Sequence, residues 1–454
     1  MKARFAPSPT GLLHYGNIRT ALFNYLLARK QTGEFVLRVE DTDLSRSKDE
    51  YIDALKDDLI WLGMEWTDIY RQSERSSLYD KYFSDLESNG DAYPCFCSPE
   101  QLALSRRAQL ASGKPPRYSG TCKSLSKDEI DKKIAQGLKP TLRFIVGNDE
   151  IIEFEDLIKG PQKFCGHDIG DFIVRRADGS AAFMFCNAVD DADMSMTHAL
   201  RGEDHLTNTP RQILILKKLN LFAPKYGHFP LIIGEDRSPL SKRNGSETII
   251  SLREQGYMPE AVINYLARLG HTSYPNTLMS MDELAEQFDL TSISRSPARH
   301  DKSHLLHWQK EYILSLTTDE FKELLLPKLD SGYTRISEFA SMIQPNILYV
   351  NDVNTWVDSL YEGDFIITDN ELVVVQEAGM SFFEIAVKSA GLSYKDFIDG
   401  MKEQLGVKGK KLFMPVRVAL TGYQHGPKLE QIFTFLGQEE LKKRFAAALK
   451  LIGL

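Results

Sequence analysis

A proline-rich turn near the start of the chain has the composition of a phosphate-binding loop. Residues 7–17 read PSPTGLLHYGN and separate a short apolar run from a stretch with helical periodicity. The first N–H groups of a helix are unpaired and lie at the positive end of its dipole, so such a turn favours an anion. His14 would donate to a phosphate oxygen, and Gly16 would let a flat ring approach the backbone. A plain turn with a surface histidine is the alternative.

A second polar segment carries two adjacent cations and ends on glycine. Residues 237–245 read RSPLSKRNG. Such a loop suits a mobile clamp on a polyphosphate, with Lys242 as a point charge. Basic loops are usually just solvated, so this segment is weak alone. The two segments together, in this order along one chain, are far more specific.

The elements that must position these segments alternate between strand and helix. Residues 3–6 and 34–40 have strand character, and residues 17–30 between them place apolar side chains on one helical face. Strand, helix and strand form a βαβ unit, which implies a parallel sheet. A second stretch behaves alike, with residues 196–200 ahead of a helix that is predicted to start at 208–210 and to continue over 212–219.

The rest of the chain departs from this alternation in two places. Residues 92–190 contain paired cysteines and several short strand-like runs, which we interpret as an insertion into the sheet domain. From about residue 252 the pattern becomes mainly helical. A helix is predicted over 259–270, with proline near its start and glycine at its end. Near the C-terminus the clearest helices are 429–435 and 439–451.

Composition limits the class of protein. A chain of 454 residues is too long for one core, and ~150 residues per domain gives about three domains. The net charge of −8 gives no hint of nucleic acid, although a local basic face would suffice for binding it. No apolar run approaches the ~18 residues of a membrane span, and the N-terminal residues lack the apolar stretch expected of a secretory signal. Five sparse cysteines argue for a reducing cytoplasm and against a disulfide framework.

Five colinear segments resemble bacterial glutamyl-tRNA synthetases, which are class I aminoacyl-tRNA synthetases. They are 4–22 (opening RFAPSPTG), 38–43 (RVEDTD), 200–205 (LRGEDH), 208–212 (NTPRQ) and 240–243 (LSKR). The last is similar to the second ATP signature of class I enzymes. Order and spacing match along essentially the whole chain, most weakly after about residue 310.

The resemblance implies an α/β fold whose catalytic domain is a doubly wound, Rossmann-type parallel sheet, formed by residues 1–91 and 191–251. It implies an inserted α+β acceptor-binding region at 92–190, a connecting helical domain at 252–316 that contacts the tRNA stem, and an all-α anticodon-binding domain at 317–454. The implied activity is that of a glutamate–tRNA ligase using ATP with Mg²⁺. Glutamate attacks the α-phosphate of ATP, and the terminal adenosine of tRNA(Glu) then attacks the mixed anhydride. In this subfamily activation usually requires bound tRNA.

The resemblance also carries functional roles onto positions of this chain. The catalytic residues would be His14, Gly16 and Lys242. ATP would be bound by Pro7, Ser8, Pro9, Thr10, Gly11, His14, Gly16, Asn17, Leu240, Ser241, Lys242 and Arg243. Glutamate would be held by Arg4, Ala6, Ser8, Glu40, Phe183, Asn187 and Arg201. Arg201 would take the side-chain carboxylate in a bidentate fork, Arg4 would assist and Glu40 would meet the ammonium group. A structural ion pair is the alternative for each arginine.

Three positions depart from the family pattern. Asn17 stands where class I enzymes generally have histidine, although glutamyl enzymes vary there. Pro239 stands where many relatives have lysine, which leaves Lys242 as the principal phosphate cation. Phe183 stands where relatives often have tyrosine, so a hydroxyl contact to the substrate would be missing.

Three cysteines and a tyrosine are spaced like the zinc site that some glutamyl enzymes carry. They are Cys95, Cys97, Tyr118 and Cys122. Three thiolates and one further ligand suit one structural, tetrahedral zinc ion. Tyrosine is an unusual ligand, and Ser124 stands where relatives use histidine, so the fourth ligand stays open. Unmetallated thiols are the alternative for these cysteines, and the remaining two read as ordinary buried thiols.

The expected partners are tRNA(Glu), glutamate and ATP, and the expected form is a cytoplasmic monomer without membrane association. One alternative is a non-discriminating enzyme that also glutamylates tRNA(Gln). Another is a catalytically idle tRNA-binding paralogue, against which the intact His14, Lys242, Arg4 and Arg201 argue. Chain length argues against a truncated relative that modifies a tRNA base and against a small adenylyltransferase. A glutaminyl enzyme would differ in its opening block.

Overall fold

A computed structural model describes residues 1–43, 46–113, 115–240, 247–330, 332–362 and 367–452. In chain order, the strands are β1 (Lys2–Phe5), β2 (Glu34–Val39), β3 (Asp68–Arg71), β4 (Ala92–Cys95), β5 (Thr141–Phe144), β6 (Ile151–Asp156), β7 (Gly160–Cys165), β8 (Phe172–Arg175), β9 (His198–Gly202), β10 (Lys225–Phe229), β11 (Ile232–Ile233) and β12 (Ala298–Arg299). The helices are α1 (Tyr15–Lys30), α2 (Asp49–Trp61), α3 (Ser76–Ser88), α4 (Pro99–Ala111), α5 (Lys127–Ala135), α6 (Gly166–Ile169), α7 (Phe183–Asp193), α8 (Thr209–Lys218), α9 (Ile249–Gln255), α10 (Pro259–Arg268), α11 (Met281–Gln287), α12 (Lys302–Ser315), α13 (Thr318–Leu325), α14 (Ile336–Ile343), α15 (Val353–Val357), α16 (Asp369–Ala378), α17 (Met380–Ser389), α18 (Tyr394–Leu405), α19 (Lys410–Thr421) and α20 (Leu429–Ile452). In the part of the chain that these ranges cover, every helix is too short or too polar to cross a membrane.

A parallel sheet forms the centre of the N-terminal part. Strands β1, β2 and β3 pair in that order, and β9 pairs in parallel with β10. Strands β1 and β9 lie side by side, since the Thr197 N–H donates to the Lys2 carbonyl at 3.0 Å. The strand order is therefore β3-β2-β1-β9-β10. From β1 the chain adds β2 and β3 on one side of the sheet, and it later adds β9 and β10 on the other side, so the order of connection reverses between β1 and β9. This order confirms the predicted doubly wound fold, whose ligands bind at such a reversal.

Local sequence explains why the first helix begins where it does. Its predicted start was residue 17, but α1 begins at Tyr15 because His14 and Asn17 cap it. Ile18, Leu22 and Leu26 lie on its buried face. Strand β2 is buried along all but its first residue, as expected for a parallel strand covered on both faces.

The predicted insertion is indeed a mixture of helices and short strands. Strands β4, β5 and β8 form an antiparallel sheet, and β6 pairs with β7 in a hairpin. The hairpin turn lies against β10, since the Leu157 N–H donates to the Tyr226 carbonyl at 2.9 Å. Gly227 permits this approach, because a Cβ there would lie 2.7 Å from the Leu200 side chain and 3.4 Å from Leu157.

The chain forms two compact units. Met1–Leu252 with Val262–His304 make the first, and Arg253–Ala261 with Leu305–Leu454 make the second. From α13 onward the regular elements are helices, with a core that includes Phe339, Phe383 and Phe397. The two helices predicted near the C-terminus correspond to α20, which is interrupted by a non-helical Gly437 at φ 72° and ψ 169°. The predicted four-part division itself stays a prediction.

Candidate active site

A cavity of about 380 Å³ opens where the sheet reverses, beside the ends of β1 and β9. The predicted glutamate-binding residues that line it are Arg4, Ala6, Ser8, Glu40, Phe183, Asn187 and Arg201. The predicted ATP-binding residues that line it are Pro7, Ser8, Thr10, His14, Gly16 and Asn17. The described residues that were predicted for ATP but are not in its lining are Pro9, Gly11 and Leu240. Ser241, Lys242 and Arg243 lie outside the described residues.

His14 is the N-cap of α1. Its Nδ1 accepts the Gly16 N–H at 3.3 Å, and the Asn17 Oδ1 accepts the His14 backbone N–H at 3.3 Å. A neutral imidazole that accepts through Nδ1 carries its proton on Nε2, which suits donation to a phosphate. Asn17, one of the three departures from the family pattern, therefore completes the cap that orients His14.

Both ends of the segment that contains Lys242 are held close to the cavity. On one side the Leu240 N–H donates to the Ile232 carbonyl at 2.9 Å. On the other, Thr248 forms a β-bridge with His14. Ile232 and His14 both line the cavity. The two anchors, Leu240 and Thr248, therefore lie eight positions apart in sequence around a segment predicted to bind polyphosphate.

Four buried arginines lie in or near the cavity wall (Arg4, Arg19, Arg38 and Arg201), and acids neutralise two of them. Arg4 donates to both carboxylate oxygens of Asp191, at 2.9 and 3.2 Å. Arg38 donates to Asp191 at 2.6 Å and to Glu40 at 3.2 Å. Burial opposes ionisation of Asp191, but the two guanidinium groups outweigh it and hold the pKa of this carboxyl below its usual range. Arg4 therefore has a structural ion pair as well as its place in the cavity wall.

Arg201 differs from Arg4 and Arg38 because its hydrogen-bond partners among the described residues are all neutral side chains, whereas Arg19 donates to the backbone carbonyls of Leu269 and Pro230. Its guanidinium donates to four side chains: His228 at 3.2 Å, Asn187 at 3.4 Å, Thr209 at 2.8 Å and Gln212 at 2.5 Å. Arg201 is buried, and burial lowers its pKa to about 10. A buried cation with no acidic partner is a strong attractor for an anion.

Asn187 links Arg201 to the paired arginines. Its amide N–H donates to Glu40, and its carbonyl oxygen accepts from Gln212 at 2.9 Å and from Arg201. Burial raises the pKa of Glu40. We call the linked set the arginine network: Arg4, Arg38, Glu40, Asn187, Asp191 and Arg201. Three arginines face two carboxylates within this set, so one positive charge, at Arg201, is left uncompensated.

An aromatic pair closes the cavity beside Arg201. Phe183, the first residue of α7, stacks on His205 with the ring centroids 5.4 Å apart. Burial and the nearby Arg201 charge lower the pKa of His205 to about 4, so this imidazole is neutral at pH 7. Phe183 therefore contributes an apolar face at the position where relatives often have tyrosine.

The cysteine cluster (Cys95, Cys97, Tyr118 and Cys122) converges inside the insertion. The three sulfur atoms lie within 4.8 Å of one another. The Tyr118 hydroxyl lies 3.3 Å from the Cys95 sulfur and 3.4 Å from the Cys97 sulfur, and it accepts the Cys122 N–H at 3.0 Å. The four residues predicted as metal ligands are therefore neighbours in space, as tetrahedral coordination requires.

A cation stands beside this cluster. The Arg143 Nε–H donates to the Cys95 sulfur at 3.2 Å, and its guanidinium lies 3.8 Å from the centre of the Tyr118 ring. Burial opposes ionisation of the Cys95 thiol, but the hydrogen bonds with Tyr118 and Arg143 outweigh it and lower the pKa to about 7. Of the remaining cysteines, Cys186 is buried as expected, whereas Cys165 is only half-buried.

Sequence reasoning assigned no role to several residues that hold the arginine network together. One signal was available for Arg38, because Arg38 and Glu40 occupy alternate positions of an apolar strand, where charged residues are unusual. Asp190 and Asp191 offered a similar signal as adjacent acids in a helix with apolar neighbours. His228 offered none, since only the fold brings it to Arg201.

Comparison with known proteins agrees with the resemblance in the sequence. Residues 1–307 match the family described as tRNA synthetases class I (E and Q), catalytic domain, and residues 318–449 match the anticodon binding domain family. Glutamate–tRNA ligase 1 of Coxiella burnetii is 47% identical over 462 residues, covering 99% of each chain. Glutamate–tRNA ligase 2 of Nitrosococcus oceani is 48% identical over 458 residues, covering 98% of this chain and 97% of that one.

Solved structures give the same comparison in three dimensions. The crystal structure of glutamate-tRNA synthetase from Elizabethkingia anophelis superposes with a TM-score of 0.85 at 27% identity, covering 99% of both chains. A glutamate tRNA ligase from Elizabethkingia meningosepticum, crystallised in complex with its amino acid, gives a TM-score of 0.84 at 28% identity, again over 99% of both chains.

Proposed function

The chain belongs to the class I tRNA synthetases for glutamate and glutamine, and within that family we infer that it is a glutamate–tRNA ligase. Its substrates are glutamate, ATP with Mg²⁺, and tRNA. The observation that supports this most strongly is the buried Arg201 with neutral partners, at one end of a cavity whose other end is the capped start of α1. One end attracts a carboxylate and the other a phosphate.

The charges of the arginine network match those of glutamate. Glutamate brings two carboxylates and one ammonium group, so its net charge of about −1 at neutral pH offsets the uncompensated charge at Arg201. In our proposal Arg201 takes the side-chain carboxylate with help from Arg4, and Glu40 meets the ammonium group. Ser8 and Asn187 supply neutral hydrogen bonds. Glutamine would leave Arg201 buried without a counter-charge, a loss of about 2–5 kcal/mol.

The first chemical step needs alignment more than proton transfer. The α-carboxylate is already ionised, so it attacks the α-phosphate of ATP without a general base, and the bond to pyrophosphate breaks. The His14 Nε2–H binds a phosphate oxygen at the positive end of the α1 dipole, while Lys242 stabilises the charge of the departing pyrophosphate. Residues 7–11 form the turn that holds the nucleotide. A ribose hydroxyl of the terminal tRNA adenosine then attacks the mixed anhydride and releases AMP.

The cysteine cluster fits one structural zinc ion. Three thiols within 4.8 Å of one another are a donor set that zinc prefers, and the Tyr118 hydroxyl is placed to be the fourth ligand. A metal here would tie residue 95 to residue 122 and stabilise the insertion. No cluster residue lines the cavity, so the metal would have no part in the chemistry.

We further propose that the protein is a cytoplasmic monomer that recognises tRNA(Glu) through its helical C-terminal part and charges it at the cavity. The matched anticodon-binding family at residues 318–449 supports that division of labour. A non-discriminating enzyme would also charge tRNA(Gln).

Purified tRNAs test this function directly. Pyrophosphate exchange with glutamate should require tRNA, and charging should proceed with glutamate but not with glutamine. Charging of tRNA(Glu) alone supports a discriminating enzyme, whereas equal charging of tRNA(Gln) identifies a non-discriminating one. Tight tRNA binding with neither exchange nor charging would contradict the proposed activity and indicate an idle paralogue.

A further inference from the structure

A buried chain of hydrogen bonds runs from the insertion to Arg201. Asp156, the last residue of β6, accepts a hydrogen bond from the His228 Nδ1 at 2.5 Å. The His228 Nε2 in turn accepts the Arg201 Nε–H at 3.2 Å. Neither the Asp156 nor the His228 side chain has exposed surface, and neither residue is in the lining of the cavity. Any influence they have on a bound amino acid must therefore pass through Arg201.

The direction of each hydrogen bond in this chain follows from the chemistry of the groups. An ionised Asp156 can only accept, so His228 carries its proton on Nδ1 and presents a lone pair at Nε2. That lone pair receives the Nε–H of Arg201 and lies 3.0 Å from the Thr209 hydroxyl. The other tautomer, or an imidazolium ion, would place an N–H against the N–H of Arg201. Asp156 therefore selects the one form of His228 that can hold the guanidinium.

Asp156 is itself fixed by the backbone around it. Its Oδ1 accepts the N–H groups of Ile158 at 3.0 Å, Lys159 at 2.8 Å and His228 at 3.2 Å. The hairpin turn is also held by an ion pair between Lys159 and Glu203. The carboxylate thus has little freedom to turn, which makes it a rigid support for the imidazole.

Arg201 needs such a support more than the other arginines of the network. Arg4 and Arg38 are oriented by carboxylates, whereas Arg201 has neutral acceptors only among the described residues. We propose that Asp156 and His228 are positioning residues for glutamate recognition, which fix the plane of the Arg201 guanidinium through its Nε. The proposal rests on the role of Arg201 given above. It makes the inserted hairpin a contributor to amino-acid selectivity.

The Asp156→Asn substitution tests the tautomer directly. The asparagine Oδ1 can keep the hydrogen bonds from the backbone N–H groups. Its amide NH₂ group now faces the His228 Nδ1, so the imidazole carries its proton on Nε2, against the Arg201 N–H. Misplacing a binding group by about 1 Å typically costs up to ~100-fold. We expect the KM for glutamate in tRNA-dependent pyrophosphate exchange to rise about 10- to 100-fold and the preference over glutamine to fall, with the KM for ATP unchanged.

Two substitutions of His228 test whether its hydrogen-bond acceptor or only the size of its side chain matters. His228→Gln keeps an acceptor near the position of Nε2 and should retain most of the selectivity. His228→Leu removes the acceptor and should lose selectivity as Asp156→Asn does. The matched control is Asp171→Asn, because Asp171 also lies in the insertion and accepts two hydrogen bonds, from Val146 at 2.8 Å and Tyr93 at 2.8 Å, away from the cavity. This control should leave selectivity unchanged.

A double-substitution cycle with Arg201→Gln distinguishes positioning from general destabilisation. If Asp156 acts through Arg201, Asp156→Asn should lower selectivity in the wild-type background and have no further effect in the Arg201→Gln background. An equal loss in both backgrounds, or no loss in the wild type, would overturn the positioning role. If Arg201→Gln itself keeps the full preference for glutamate, the assignment of Arg201 fails, and the positioning role fails with it. The Arg201→Gln measurement alone therefore tells the two failures apart.

Discussion

The arginine network is buried and the cysteine cluster is largely buried, but the two polar sites are assembled over different distances along the chain. The cysteine cluster draws its four residues from positions 95 to 122. The arginine network joins strand β1, strand β2, helix α7 and strand β9, from position 4 to position 201. The cysteine cluster can therefore be predicted from residue spacing, whereas the arginine network forms only when the parallel sheet brings its strands together.

The two sites also differ in what they leave unsatisfied. In the cysteine cluster, Tyr118 and Arg143 already hydrogen-bond the sulfur atoms, so a metal would replace contacts that the protein makes for itself. In the arginine network, every acid is used by Arg4 and Arg38, and Arg201 is left with neutral partners. The comparison teaches that burial and charge alone do not mark a binding residue. Within the arginine network, the charge balance around each arginine separates the supporting residues from the recognising one.

The largest expected effect is on stability, at the acid that two arginines share. Asp191→Asn leaves Arg4 and Arg38 buried without their common counter-charge, so the free energy of unfolding should fall by about 3–5 kcal/mol. Denaturant titration measures this change. The control is Asp282→Asn, which breaks an exposed pair with Arg29 and should change stability little. Equal effects of the two substitutions would remove the distinction between buried and exposed pairs.

Arg201→Gln should separate function from stability. We expect the preference for glutamate over glutamine, measured by tRNA-dependent pyrophosphate exchange, to weaken by about 2–5 kcal/mol. Stability should stay the same or rise, because the substitution removes a buried charge that has no acidic partner. Arg38→Gln, at an arginine that is paired with two acids, should instead lower stability. A loss of stability in Arg201→Gln as large as that in Arg38→Gln would show that Arg201 is a structural residue too.

Removal of metal should affect the cysteine cluster and spare the arginine network. Protein purified without chelator should contain about one zinc ion per chain. Stripping it, or the Cys97→Ser substitution, should lower the free energy of unfolding by roughly 2–3 kcal/mol, as for a ligand at about 100 times its Kd. The preference for glutamate should not change. Cys165→Ser, outside the cluster, serves as the control. Absence of zinc from wild-type protein would refute the metal site.

The smallest effect is a change in the titration of His205. Burial and then the Arg201 charge hold the pKa of this imidazole at about 4, so Arg201→Gln should raise it. NMR titration of the imidazole measures the change. An unfolded histidine titrates near 6.5, so the folded protein should lose stability as pH falls from about 6.5 towards 4, and less so in the variant. An unchanged His205 pKa would mean that the Arg201 charge does not reach it.

The sequence predicted those parts of the fold that depend on local periodicity and on turn-forming residues. The βαβ start and the helical C-terminal part follow from periodicity and turn residues, and the parallel sheet follows from the βαβ start, whereas the cap at His14 was not predicted. The resemblance identified Arg201 and Asn187, both of which line the cavity. Lys242 stays a prediction, because it lies outside the described residues.

The sequence could not show which partners each charged side chain pairs with in the fold. The sequence does not distinguish Arg4 from Arg201. In the fold Asp191 forms an ion pair with Arg4, whereas Arg201 donates to neutral side chains such as His228. The contact between His228 and Arg201 depends on Asp156, which lies in a hairpin 72 residues earlier in the chain than His228. Such pairings follow from strand order and register, which local propensity does not encode.

A crystal structure with L-glutamate bound would test the central claim most directly. The account predicts a side-chain carboxylate oxygen about 2.7–2.9 Å from the Arg201 guanidinium, with the ammonium group at Glu40 and the α-carboxylate facing the start of α1. The Arg201 Nε should keep its hydrogen bond to His228. A glutamate side chain bound by Arg4 alone, or an α-carboxylate at Arg201, would contradict the claim that Arg201 reads the side-chain charge.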